Sequence, residues 1–126
     1  MPAIITRGAF SARAYGLGGA TVVIGSQSYT TPGTYTWIAP AGVTSVCVVA
    51  IGGGASGALN SSGGAPGGGG GGLAWVNNYP VTPTSSYTVV VGAGGASAAG
   101  STGIPGNAGG DSYFVNTSTV KGGGGQ

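Results

Sequence analysis

The chain has 126 residues, a length that favours a single domain. Its strong charges are Arg7, Arg13, Lys121 and Asp111, a net charge of +2 with no Glu and no His. Three scattered cations cannot displace phosphate counterions, so a nucleic-acid partner is not expected. A single Asp excludes paired-carboxylate catalysis, and the lack of His removes the usual base for a cysteine or serine nucleophile.

The first segment, MPAIITRGAFSARAYGLGGA, has no continuous apolar stretch behind a positive head. It therefore reads as neither a signal peptide nor a membrane span, which implies synthesis in a cytoplasm. Residues 1–27 read as a separate unit. Arg7, Phe10, Arg13 and Tyr15 form an arm that docks on another protein, and a disordered leader is the alternative. Thr21–Ile24, TVVI, is a short strand candidate at its end.

Residues 28–126 read as a second unit, all-β with glycine-rich loops. The stretch SYTTPGTYTWI alternates around a Pro32-Gly33 turn, so Tyr35 and Trp37 share one strand face. Val43 to Ile51 is the longest β run. It places Val46, Val48 and Ala50 on one face and Cys47, Val49 and Ile51 on the other. Both faces are apolar, which predicts a central, buried strand and a buried Cys47. Further strands are expected at Leu73–Val76, Ser86–Val91, Tyr113–Val115 and Val120-Lys121. Tyr79–Pro83 is expected as a rigid connector, because neither Pro80 nor Pro83 donates to a ladder.

Two glycine fields interrupt the strands. Gly52 to Gly72 holds 12 glycines in 21 positions, and Gly92 to Gly110 holds 8 in 19. A flexible linker is the ordinary reading of such runs. Three features oppose it: the run lacks serine alternation, apolar strands flank it closely, and a second field follows. Glycine also permits close approach of backbones, so such segments can pack as polyglycine II helices with three residues per turn. On that reading Gly67, Gly68, Gly69, Gly70, Gly71 and Gly72 are packing residues. Gly100, Gly103, Gly106 and Gly109, spaced every third position, form one edge.

The remaining features carry no chemistry. No Cys or His cluster could hold a metal, and no cofactor motif appears. The glycine runs lack the GK[ST] ending of a phosphate loop. Asp111 reads as a turn residue bonding its own backbone. Trp75 and Tyr79, with Trp37 and Tyr35, could stack on sugars of a host surface, but aromatics on strands of a small β protein are ordinarily core.

The order YTTPGTYTWIAPAGVTSVCVVAIGGG, a glycine run, LAWVNNYPVTPTSSYTVVVGAGG, GGDSYF and GGGGQ resembles the glycine-rich domain of phage tail-fibre and appendage proteins, which include adhesin-like members. The resemblance covers residues 29 to 126. Its motifs fall on Trp37–Val46, Ile51–Gly54, Val81–Gly95 and Gly109–Phe114. The leader also looks like the start of phage structural proteins. The resemblance implies a small β-sandwich-like domain with polyglycine loops and a place in the virion. Expected partners are the chain itself, as a trimer or polymer, other virion proteins through the arm, and a host cell surface. A receptor-binding adhesin is one alternative role, and a self-assembling extracellular filament, ice-binding or matrix protein a more distant one.

Overall fold

A computed structural model describes residues 25–60, 63–100 and 103–126. The expected arm residues Arg7, Phe10, Arg13 and Tyr15 and the Thr21–Ile24 strand lie outside the described residues. Six strands follow in chain order: β1 Gly33–Ile38, β2 Ser45–Ile51, β3 Leu73–Pro80, β4 Ser86–Val91, β5 Ser112–Phe114 and β6 Val120–Gly122. No helix occurs among the described residues. The fold is all-β and sandwich-like, with two antiparallel sheets.

The larger sheet has the order β1-β4-β5-β6. Its first pair sets Tyr35 opposite Val89 and Trp37 opposite Tyr87. The second sheet is the β2-β3 pair, with Val48 opposite Val76, Val49 opposite Trp75 and Ile51 opposite Leu73. β2 and β3 pack over β5 and β6.

The register of β2 on β3 slips once. Val46 pairs with Tyr79 and Val48 with Val76, so Cys47 alone opposes Asn77 and Asn78. Asn78 absorbs the extra residue at φ 55°, a left-handed conformation that Asn tolerates. The bulge changes the parity of β3. Ala74 and Val76 point inward before it, and Tyr79 points inward after it. This is why the strand continues to Pro80, beyond the expected end at Val76. Pro80 sits at the strand terminus, where its missing N–H is tolerated.

The core lies between the sheets. Val46, Val48 and Ala50 of β2 and Ala74, Val76 and Tyr79 of β3 meet Trp37, Tyr87, Val89 and Phe114. Phe114 is the centre of the aromatic cluster. Its ring lies 5.5 Å from Tyr79 edge-on, 5.7 Å from Tyr87 in a stack and 6.1 Å from Trp37. Such offset and edge geometries suit the ring quadrupoles.

Two expectations are corrected here. β2 is not a central strand, because it belongs to a two-stranded sheet. Among the described residues no strand packs on its outer face, and Cys47 is exposed and does not contribute to the core. An apolar strand can be apolar on both faces without being buried on both.

Candidate functional site: a bundle of glycine segments

The glycine fields fold into a bundle at the end of the two sheets. Five extended segments take part: 52–59, 66–72, 92–96, 104–110 and 123–126. The first is central. On one side Gly52, Ala55 and Ala58 donate their N–H groups to the carbonyls of Gly72, Gly69 and Pro66. On another side Gly53, Ser56 and Leu59 donate to Gly110, Asn107 and Ile104. Each series steps by three along both chains, and the two chains run in opposite directions. A three-residue step is the repeat of a polyproline-II-type helix, which makes no hydrogen bonds within itself. Its polar backbone groups must therefore find partners on neighbours, and six of the eight residues of the central segment donate to one.

The same period recurs around the bundle. Gly69 and Gly72 donate to Gln126 and Gly123. Gly110 donates to Ala93 at 2.7 Å, and Asn107 Nδ2 donates to Ala96 O at 2.8 Å, again three residues along. Gly95 donates to Gly54, Gly125 to Gly53, and Gly109 to Gly125. The segments 52–59, 92–96 and 123–126 run one way and the other two run against them.

Glycine is required by this spacing at defined positions. A Cβ at Gly71, Gly68, Gly106 or Gly109 would fall well under 3.0 Å from a backbone carbonyl oxygen of the central segment. A Cβ at Gly53 or Gly95 would meet the backbone of Ala93 or Asn107 equally closely. None of these glycines has positive φ. They are needed for close approach of chains and not for a left-handed turn.

The predicted packing residues therefore separate into three sets. In the second segment Gly68 and Gly71 face the central segment, and Gly69 and Gly72 face the C-terminal segment. Gly67 and Gly70 have open space where a Cβ would stand. Of the expected edge Gly100, Gly103, Gly106 and Gly109, the last two pack against the central segment. Gly100 (φ 120°) and Gly103 (φ 80°) instead have left-handed backbone and open surroundings. At these two positions the three-residue spacing in sequence does not correspond to a packed helix edge.

Side chains fasten the ends. Ser112 is buried, and its Oγ accepts from Gly92 N–H at 2.9 Å, where β4 leaves the sheet for the third segment. Ser56 Oγ accepts from Asn107 N–H at 2.8 Å. Asp111 corrects its expected role. It does not close a turn on its own backbone. Its Oδ1 accepts from Gly124 N–H and its Oδ2 from Lys121 Nζ, each at 2.8 Å. The Lys121 ammonium and then the Gly124 amide hold its carboxyl below the usual carboxylate range. The one acid of the chain thus ties the C-terminal segment to the bundle.

The predicted ligand aromatics part company. Tyr79 is half-buried against Phe114. Trp75 stands on the outer face of β3 and is exposed, contrary to the expectation of a core indole. The central position of 52–59 and the insertion of 123–126 were not legible in the sequence beyond the glycine content of those stretches. Among the described residues no group of three or more His, Cys, Asp or Glu is placed to hold a metal. No helix among them is long and apolar enough to cross a membrane, which leaves strand-built spans unaddressed.

No curated protein and no solved structure matches the chain. A family model described as a glycine-rich domain matches residues 30–126, which contain both sheets and all five glycine segments, and the chain belongs to that glycine-rich domain family.

Proposed function

We propose that this chain is a structural protein of a bacteriophage virion, a subunit of a tail fibre or surface appendage that self-associates. The observation that carries the reading is the glycine bundle. Its segments are cross-linked by backbone hydrogen bonds at a three-residue period, and its inward glycines leave no room for a side chain. Such a body is stiff and compact, and its cohesion does not depend on charged side chains. That suits a construction element, and the resemblance of its motifs to phage appendage proteins supplies the setting. Self-association is supported by a surface with very little charge to oppose it. In this reading the protein is not an enzyme. It is made in the host cytoplasm and carried on the virion, and residues 1–27 dock it to other virion proteins.

Electron microscopy of the purified full chain at neutral pH tests self-association. Filaments or discrete oligomers are expected, and a monodisperse monomer at all concentrations would defeat the reading. Mass spectrometry of purified virions tests the location, with the chain expected at a fixed copy ratio to the tail proteins. A second reading, a receptor-binding adhesin, is favoured by the exposed indole of Trp75. Saturable binding of the purified chain to host cells, lost on Trp75→Ala, would support it.

A further inference from the structure

The hydrogen bonds of the bundle run around the central segment 52–59 in one order. Segment 66–72 bonds to 123–126, 123–126 to 104–110 and 104–110 to 92–96, and all four bond to 52–59. Among the described residues no bond joins 92–96 back to 66–72, so the ring is open on that side. Glycines border the opening. A Cβ on Gly54 would lie 3.5 Å from Gly69 O, and one on Gly94 would lie 3.7 Å from Gly54 O, so Gly54 stands between the two flanking segments. A Cβ on Gly57 would lie 3.8 Å from Gly67 Cα, and at Gly67 and Gly70 a Cβ would meet nothing within 4 Å. Gly54, Gly57, Gly67, Gly70 and Gly94 are all exposed, and none has positive φ. Their N–H groups donate to no described residue. A helix with three residues per turn sends its N–H groups out in three directions. Those of 52, 55 and 58 go to segment 66–72 and those of 53, 56 and 59 to 104–110. The third direction, that of Gly54 and Gly57, is left without an acceptor.

We propose that this opening is where two copies of the chain join, each inserting its segment 66–72 into the open side of the other's bundle about a two-fold axis. The proposal rests on the self-association reading above and names the surface responsible. Glycine at these positions is the first argument. Neither crowding within the copy nor a left-handed backbone requires it there, and glycine loses more conformational freedom on folding than any other residue. The bundle itself accepts side chains at the corresponding phase. Gly67 and Gly70 follow the acceptors Pro66 and Gly69, whereas Pro105 and Ala108, both exposed, follow the acceptors Ile104 and Asn107. Glycine along the opening is accounted for when another backbone approaches as closely as the inner ones do. The repeat selects the kind of backbone. The free donors of Gly54 and Gly57 are three residues apart, and a polyproline-II-type segment offers carbonyls at that same interval, about 9 Å. A β-strand repeats at about 7 Å and falls out of step. Segment 66–72 fits best, because residues 67–72 are glycine without interruption and no face of that run carries a side chain. Among the described residues its backbone bonds only to the central and C-terminal segments, so one side of it is still free. The free donors and the insertable run border the same opening, so one surface supplies both halves of a two-fold contact.

The test uses the full chain and the double variant Gly67→Ala, Gly70→Ala. Sedimentation equilibrium should show the unsubstituted chain as a dimer or larger assembly. Two methyl groups on the inserted segment should raise the dissociation constant about 10-fold or more, the effect of losing one or two backbone hydrogen bonds. Melting of the variant, measured at a dilution where copies are separate, should not fall, since each methyl stands in open space within one copy. Ala108→Ser, at the phase that already carries side chains, should leave the dissociation constant unchanged. Amide exchange of the unsubstituted chain, followed by NMR, provides a second readout that needs no variant. The N–H groups of Gly54 and Gly57 should be protected at high concentration and exchange freely on dilution. A double variant that assembles as tightly as the parent, with those amides exchanging freely at every concentration, would overturn this surface and leave self-association standing. A monomer whose Gly54 and Gly57 amides are protected at every dilution would mean that the opening is closed within one chain, and would overturn the second copy as its occupant. A monomer with freely exchanging amides would overturn both readings. Should the double variant fold poorly, Gly94→Ala carries the same comparison, since its methyl would meet only Gly54 O at 3.7 Å.

Discussion

Exchanging neighbouring glycines for alanine separates chain packing from glycine content. At Gly71 a Cβ would fall well under 3.0 Å from Gly52 O, while at Gly70 nothing lies within 4 Å. Neither residue has positive φ, so neither substitution strains the backbone by itself. Each removes the same freedom from the unfolded chain, a stabilisation of about 0.4–1 kcal/mol that cancels in the comparison. The remaining difference is the clash. Relieving it means moving the second segment away from the first, which breaks the 2.9 Å bond from Gly52 N–H to Gly72 O. The neighbouring 2.7 Å bond from Gly72 N–H to Gly123 O is then stretched. A donor left buried and unpaired costs about 1–3 kcal/mol. Gly52 is buried and Gly72 can turn to water, so we expect Gly71→Ala to lie about 1–3 kcal/mol below Gly70→Ala. Against a typical stability of about 5–15 kcal/mol, that lowers Tm by roughly 4–15 °C. Circular dichroism melts of the two variants beside the parent measure it. Equal melting temperatures for Gly70→Ala and Gly71→Ala would refute the packed-segment argument, because the two differ in nothing but what their Cβ would meet.

Three other outcomes follow from the same geometry. Phe114→Ala empties the centre of the aromatic cluster and should cost about 3–5 kcal/mol in urea unfolding, with the loss of near-ultraviolet dichroism from Trp37, Tyr79 and Tyr87. Ser112→Ala removes the acceptor of Gly92 N–H and should cost about 1–3 kcal/mol, whereas Ser112→Thr retains the acceptor and should recover part of it. Asp111 has its carboxyl lowered in the folded state, so its contribution is full above an unfolded aspartate value of about 4 and is lost as pH falls through the lowered folded value. Melting temperature measured from pH 7 to pH 2 should therefore drop in the acid limb for the parent. Asp111→Asn should be flatter there, and at neutral pH it should show faster amide exchange at Gly124.

Much of the β structure was legible locally. Alternation in GTYTWI and SVCVVAI placed two strands near their observed bounds and grouped the side chains that share a face, and SYTVVV was read as a strand over its observed bounds. A two-residue period needs no knowledge of the partner strand. The end of β3 was not legible. Whether LAWVN continues through Asn78 into Tyr79-Pro80 depends on a bulge, and the bulge exists because β2 offers Cys47 alone to two asparagines.

For the glycine fields, composition and spacing left close chain packing and a plain loop both open and offered a three-residue period. They could not assign partners. Polyproline-II-type segments bond exclusively to other segments, so their pairing is non-local, as in the contact of 52–59 with 104–110. Gly70 and Gly71 are identical in sequence context and differ wholly in what surrounds them. The role of Asp111 depends likewise on a residue thirteen positions away, Gly124. The outward fate of Cys47, Val49 and Trp75 was equally undetermined, because an apolar face is compatible with burial in a core or with contact to another chain. By itself the sequence determined most of the strands, the alternation of side chains along them and the glycine content of the bundle. Tertiary structure decided which glycines touch, what the single acid holds and which apolar face is left uncovered, because each of those depends on residues brought together from distant parts of the chain.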